Sequence, residues 1–421
     1  MFFRSKAVTF FTRLALIMVF SILAAACSNL SSPSESPRAS ESSGPNTGDK
    51  PSGTAEPSTP SPTPTSTPEP TPITAMITSA GDCVLHKTFQ DSAYIEKEKR
   101  YDFYDIFSEL EEYTLHSDFS LISFESAATN DRSNYTGYPM FNCPPEIFDA
   151  FKQVGFDLVN NSNNHQLDRK IKGMLETREN IRSRGLEAIG AYDGEEPRYL
   201  IRDLNGISVG FMAYTYGCNG LEAGLTKEQR DRHLALFEPE RMKKELQELE
   251  EKTDITVVSM HWGAEYTQTP SDSQKKLARD LVSWGADIVL GSHPHVVQPT
   301  EYIEHEEETK YIIYSMGNFV SNQRRGASGA PHTNKELAED GMLVQITLNK
   351  DPATGKTEIN EVDHIPTWLW RYKADGTYKF KVIPVPRDAY YEEDAYPEDV
   401  LSEVYASYDR TMNLVEDYVS P

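Results

Sequence analysis

The chain has 421 residues, 38% of them hydrophobic, and its 65 acidic against 41 basic side chains give a formal net charge of −24. Such an exterior repels polyanions, so neither nucleic acid nor an anionic lipid surface is an expected partner. Four cysteines in this length exclude a disulfide-built scaffold.

Arg4 and Lys6 precede an apolar run from Leu14 to Ala26 that is too short to span a bilayer comfortably, which is the pattern of an export signal. Leu23-Ala24-Ala25-Ala26-Cys27 resembles a bacterial lipoprotein cleavage site, in which Cys27 is lipidated and becomes the mature N-terminus. Ala24 stands where that signal usually has Leu, and ordinary signal cleavage is the alternative. A multiply acylated Cys27 would hold the protein at the outside of the bacterial cell membrane. With Cys27 set aside, Cys83, Cys143 and Cys218 remain, an odd number that cannot be fully paired. Residues 1–27 are thus expected to be a lipoprotein signal peptide. Residues 28–72 are almost wholly Ser, Pro, Thr, Gly, Glu and Asn, with nothing to bury. They read as a disordered tether with a polyproline-like reach on the order of 100 Å, or as a spacer with no length requirement.

Residues 73–421 alternate strand and helix signals without a second linker and are expected to form one domain. Ile73–Ser79 alternates apolar and polar residues and stops at Gly81-Asp82. Phe119–Phe124 is a strand ending at Glu125, and Pro144–Val154 is a helix. Phe156–Asn160 is a strand running into Asn161-Ser162-Asn163-Asn164-His165. A helix from about Gly173 to Arg184 leads to the strand Leu186–Ile189, and Asn205-Gly206 predicts a hairpin between residues 198–204 and 207–214. After a helix-forming stretch, Thr226–Lys252, the strand Asp254–Met260 ends at His261. A helix over Ser271–Trp284 feeds the strand Asp287–Leu290, which ends at His293-Pro294-His295. Tyr311–Ser315 runs into Gly317-Asn318, and Met342–Leu348 with Lys356–His364 form an antiparallel pair.

Asp82, Glu125, Asn164, His165, His261, His293 and His295 therefore all fall at carboxyl ends of strands, where open α/β sheets build their sites. Imidazoles suit transition metals, a carboxylate between two cations offsets their repulsion, and an amide oxygen completes a hard position. No nucleotide-binding glycine loop or serine nucleophile elbow is present, which removes ATP-dependent ligases and serine hydrolases from consideration.

The order of these groups resembles the metallophosphoesterase superfamily. More narrowly, Gly81-Asp82, Phe124-Glu125, Asn163-Asn164-His165 through Asp168, His261-Trp262-Gly263 through Glu265-Tyr266, Gly291-Ser292-His293-Pro294-His295-Val296 and Ser315 to Phe319 resemble the CapA family of poly-γ-glutamate capsule-synthesis proteins. The resemblance covers about Ile73 to Phe319 and implies an α/β/β/α sandwich of two mixed sheets flanked by helices. It implies two divalent metal ions (Mn, Zn or Fe), with Asp82 and His295 on one, Asn164, His261 and His293 on the other, and Glu125 between them. His165 would be the acid that protonates a leaving group, and Asp168 would orient its ring or cap the following helix. Glu265, Tyr266 and Asn318 are candidates for substrate contact or for packing. Val84 stands where the wider superfamily has a further His, the nearest imidazole being His86, so both one-metal and two-metal sites fit. Trp368, Trp370 and Tyr372 suit a polymer rim or a core. The expected functions are a surface-anchored metal-dependent hydrolase acting on a phosphoester or amide of an envelope polymer such as poly-γ-glutamate, a non-catalytic accessory to capsule synthesis or export proteins, or a polymer-binding lipoprotein.

Overall fold

A computed structural model of the chain describes residues 71–324, 335–385, 391 and 395–416, so the expectations for the export signal, Cys27 and most of the tether lie outside the described residues. In chain order the strands of the two main sheets are β1 (Ile73–Cys83), β2 (Phe119–Phe124), β3 (Leu158–Asn160), β4 (Glu187–Ile189), β5 (Leu200–Leu204), β6 (Ile207–Thr215) and β7 (Ile255–His261). They continue as β8 (Ile288–Ser292), β9 (Val297–His305), β10 (Glu308–Met316), β11 (Asn318–Val320), β12 (Asp340–Lys350), β13 (Thr357–Ala374) and β14 (Thr377–Pro384). The helices used below are α1 (Ile147–Gln153), α2 (Lys170–Arg182), α3 (Lys227–His233), α4 (Pro239–Glu250), α5 (Asp272–Ser283) and α6 (Glu398–Glu416).

The larger sheet has the order β14-β13-β12-β1-β2-β3-β4, with β11 added parallel to the end of β1. From β1 to β4 the strands are parallel, and from β1 to β14 they are antiparallel. The smaller sheet has the order β9-β10-β8-β7-β6-β5, parallel from β10 to β6 with an antiparallel strand on each edge. Every residue of β2, β7 and β8 is buried, because each lies between two packed layers, and this explains why none of the three contains an Asp, Glu, Lys or Arg. The sheets meet face to face through Ile77, Phe119 and Leu121 on one side and Phe211, Val257 and Leu290 on the other, with the rings of Phe119 and Phe211 4.9 Å apart. Outside the larger sheet, Phe148 and Phe151 of α1 pack on Phe124. Outside the smaller one, Met242, Leu246 and Leu249 of α4 and Ala278, Leu281 and Val282 of α5 cover Val258, Met260 and Val289. The α/β/β/α sandwich expected from the sequence is the architecture found.

The stretch Thr226–Lys252 is not one helix. It divides into α3, closed at its start by a reciprocal Thr226–Gln229 capping box, and α4, which begins with Pro239. Between them Leu234 and Leu236 bridge to Ala191 and Thr215, and Pro239 has no backbone N–H with which to continue the preceding helix. The chain after Gly341, which carries no recognisable motif, supplies an edge of the larger sheet and α6. Trp368 is buried with Ile383, Val400 and Val404, and the half-buried Trp370 packs against that cluster while its ring stacks on that of the half-buried Tyr372 at 4.2 Å.

At the end of β1 the pairing with β2 skips from Ala80 to Asp82, a bulge that re-aims the strand end. A Cβ on Gly81 would lie 2.3 Å from the carbonyl oxygen of Gly317. Gly81→Ala is therefore expected to cost about 3 kcal/mol by overpacking. Denaturant unfolding that showed no loss in this variant would contradict the tight approach.

Candidate metal centre

The centre forms where parallel strands of both sheets end. His261 closes β7 and pairs in register with Thr215 of β6 and Ser292 of β8. His293 and His295 follow β8 at once and both adopt left-handed backbone, φ 93° and 58°. For non-glycine residues this costs on the order of 1–3 kcal/mol each, so the surrounding structure must hold the turn. It does: the His293 N–H donates to Asp82 Oδ2 at 2.9 Å, across from the other sheet, and the Tyr266 N–H donates to the Pro294 carbonyl at 2.7 Å.

Ligand atoms of Asp82, Glu125 and His295 lie within 4.8 Å of one another, and so do those of Glu125, His261 and His293. Glu125 thus belongs to both groups. Asn164 joins the second, its Oδ1 lying 2.9 Å from His261 Nε2, while His261 Nδ1 meets Ser292 Oγ at 3.0 Å. His295 Nδ1 is 3.4 Å from Asp82 Oδ2 without forming a hydrogen bond.

These donors fit a divalent metal. Among the described residues nothing hydrogen-bonds Asp82 Oδ1, Glu125 Oε2, His293 Nδ1 or His295 Nδ1, although all four atoms are buried. Buried polar atoms without partners are costly, and a cation shared by carboxylates and imidazoles would satisfy them. Electrostatics point the same way. Burial drives the Glu125 carboxyl well above its ordinary value, since a carboxylate there has lost its water. Burial also works against a charged His295, but Glu125 and Asp82 outweigh it and lift that ring to about 9, so the local field favours a cation. Burial, reinforced by neighbouring histidines, holds His261 and His293 well below the usual imidazole range, in the neutral form that binds metal.

His165 stands beside this cluster. Its Nδ1 is 2.8 Å from Asp168 Oδ2, which also accepts the Phe141 N–H at 2.6 Å, and its Nε2 is 3.9 Å from Glu125 Oε1. The Asp168 side chain does not cap α2; it fixes the His165 ring with Nδ1 toward the carboxylate and Nε2 toward the centre. Phe141 packs on that ring edge to face at 4.6 Å.

The remaining candidates are placed differently. Glu265 is exposed, with a carboxylate oxygen in a third group with His293 and His295. Tyr266 is buried among Val296 and Ala338, its ring 5.9 Å from that of His295. Asn318 pairs in register with Asp82, but its Nδ2 donates to Ala338 O and Gln323 Oε1, so it ties the chain behind the centre. Sequence reasoning missed Tyr216, which follows β6. Its ring is 4.8 Å from that of His293 and stacks parallel to that of His261 at 6.2 Å, with 45% of the residue exposed. Burial, helped by Glu125 and Glu265, raises its phenol to about 12, so it stays protonated near neutral pH. Its position just past a parallel strand was the available signal. Cys83, Cys143 and Cys218 are free and buried.

Fold and site together define a two-sheet α/β sandwich carrying candidate metal-binding groups at its strand ends. The chain belongs to the family described as bacterial capsule synthesis protein PGA_cap, which it matches over residues 76–323. Among curated relatives, the PGA biosynthesis protein CapA of Bacillus subtilis (strain 168) is 32% identical over 52% of this chain and 53% of its own length. The capsule biosynthesis protein CapA of Bacillus anthracis is 27% identical over 59% and 60%. The match therefore spans little more than half the length of either relative. A solved structure described as a novel phosphatase from Mycoplasma pneumoniae aligns with 70% of this chain and 93% of its own at 13% identity and a TM-score of 0.39. At that score the fold assignment rests on the chain's own topology.

Proposed function

We propose that this protein is an extracytoplasmic metal-dependent hydrolase of poly-γ-glutamate capsule metabolism, acting on a phosphoester or amide of that polymer or of another envelope polymer, and held at the membrane by a lipid on Cys27. The observation that carries the reading is Glu125, a buried carboxylate common to two groups of ligand-competent atoms, with His165 Nε2 close beside it. Asp82, Glu125 and His295 would hold one divalent ion, and Glu125, Asn164, His261 and His293 a second. When bound, such ions lower the pKa of water and withdraw charge from the scissile group. The chain's own residues supply the rest. Asp168 keeps the His165 proton on Nδ1 in the neutral ring, and a second proton carried on Nε2 can pass to a departing oxygen or nitrogen. Phe141 shields the ring from water, and the neutral Tyr216 phenol offers a hydrogen bond at the open side.

The test is turnover of phosphodiester, phosphomonoester and γ-glutamyl substrates by the metal-loaded protein. Hydrolysis of one class supports the reading, whereas retained metal without turnover of any would favour a non-catalytic accessory to capsule synthesis or export. The location is tested separately. Cys27→Ala is expected to move the protein from the membrane fraction to the soluble one, and persistence in the membrane fraction would count against lipid attachment.

A further inference from the structure

Glu265 lies outside both groups just assigned, yet its carboxylate has a ligand atom within 4.8 Å of ring nitrogens of His293 and His295, one residue from each group. It is exposed where Glu125 is buried, and no Lys or Arg among the described residues pairs with it. Its loop is not free to wander: the Trp262 N–H donates to Ser292 O at 3.1 Å, the Tyr266 N–H donates to Pro294 O at 2.7 Å, and Gly263 turns at φ 89° where a side chain would strike Gln274. Three residues thus separate two anchor points on the very turn that carries the histidines. His293 and His295 are 4% and 2% exposed, and the Nδ1 of each lacks a hydrogen-bond partner among the described residues. Asp82 and Glu125 would offset only half the formal charge of two dications, leaving an electrostatic place for a further carboxylate.

We propose that Glu265 is a metal ligand on the solvent side of the centre, shared between the His293 and His295 positions opposite the buried carboxylates. The proposal rests on the metal-centre reading above. An exposed carboxylate on an anchored loop can meet an incoming hydrated cation before the buried donors do and can retain it afterwards, so Glu265 governs capture and retention of the ion.

The experiment is calorimetric titration of the chelator-stripped protein with Mn2+ and, separately, Zn2+, alongside the metal-induced rise in unfolding temperature. Wild type is expected to bind. Glu265→Gln, a near-isosteric change on an exposed loop, is expected to bind about tenfold or more weakly, the order of loss seen when one supporting group of a metal site is removed. Asp272→Asn, which removes an equal charge from the first turn of α5, is expected to stay within about twofold of wild type, since exposed charges are largely screened. Equal affinity in Glu265→Gln and wild type overturns the role of Glu265 alone, as does an equal loss in Asp272→Asn. A wild-type protein that binds neither ion overturns the metal centre and this inference with it.

Discussion

Replacing His165 by alanine is expected to leave the bound metal in place and to slow turnover by about 10²–10⁴-fold, the usual worth of general acid catalysis. The geometry separates His165 from the ligands. Its Nδ1 is committed to Asp168 at 2.8 Å, and its Nε2 stands 3.9 Å from Glu125, the only one of the centre's carboxylates it approaches among the described ion pairs. A substrate with a better leaving group needs less protonation, so it should partly restore the His165→Ala variant. Asp168→Asn should behave as a weaker version of the same change, because the ring loses its orienting carboxylate while Nε2 remains. Metal content in each variant is read by elemental analysis and turnover by steady-state kinetics. Loss of metal from His165→Ala as complete as from His293→Ala would make His165 a ligand and end its assignment as the acid.

Glu125→Gln is expected to affect stability differently with and without metal. In the metal-free protein burial disfavours the ionised carboxyl, and His295, whose proton that carboxylate helps to hold, can revert to the neutral ring, so a neutral side chain of the same size should leave stability nearly unchanged. In the metal-loaded protein the same change removes a ligand common to both groups. Metal content and activity should then fall together, with a loss of about 2.7 kcal/mol if the working metal concentration is about a hundred times the wild-type Kd. His293→Ala, which touches one group of the Glu125 pair, should lose less metal than Glu125→Gln. Thermal unfolding with and without chelator checks both expectations. A variant whose stability fell equally in the two conditions would mean that Glu125 serves the fold and not a cation.

Much of the centre can be read from the chain because its strands are buried on both faces. β2, β7 and β8 show as mostly apolar runs that stop abruptly: Glu125 comes directly after β2, His261 is the last residue of β7, and His293 comes directly after β8. What stayed hidden depends on contacts between distant segments. Asp168 is compatible with a helix cap in sequence, and only the Phe141 N–H and the His165 ring, met in three dimensions, decide otherwise. Residues 234–238 lie inside the stretch Thr226–Lys252 that reads as helix-forming, yet Leu234 and Leu236 are drawn into bridges with Ala191 and Thr215 that no local pattern announces. Tyr216 gains its place from the register of β6 against β7, which sets Thr215 beside His261. The long β13 and the helix α6 carry few motifs, and their roles follow from packing against β12 and β14.

The central claim is that the strand-end cluster around Glu125 holds divalent metal, and elemental analysis of the purified wild-type protein tests it most directly. Protein produced with Mn2+, Zn2+ and Fe2+ supplied, then freed of loosely held ions, is predicted to retain about one to two ions per chain and to lose thermal stability when they are chelated. Metal at only trace levels, with the same unfolding temperature before and after chelation, would contradict the account.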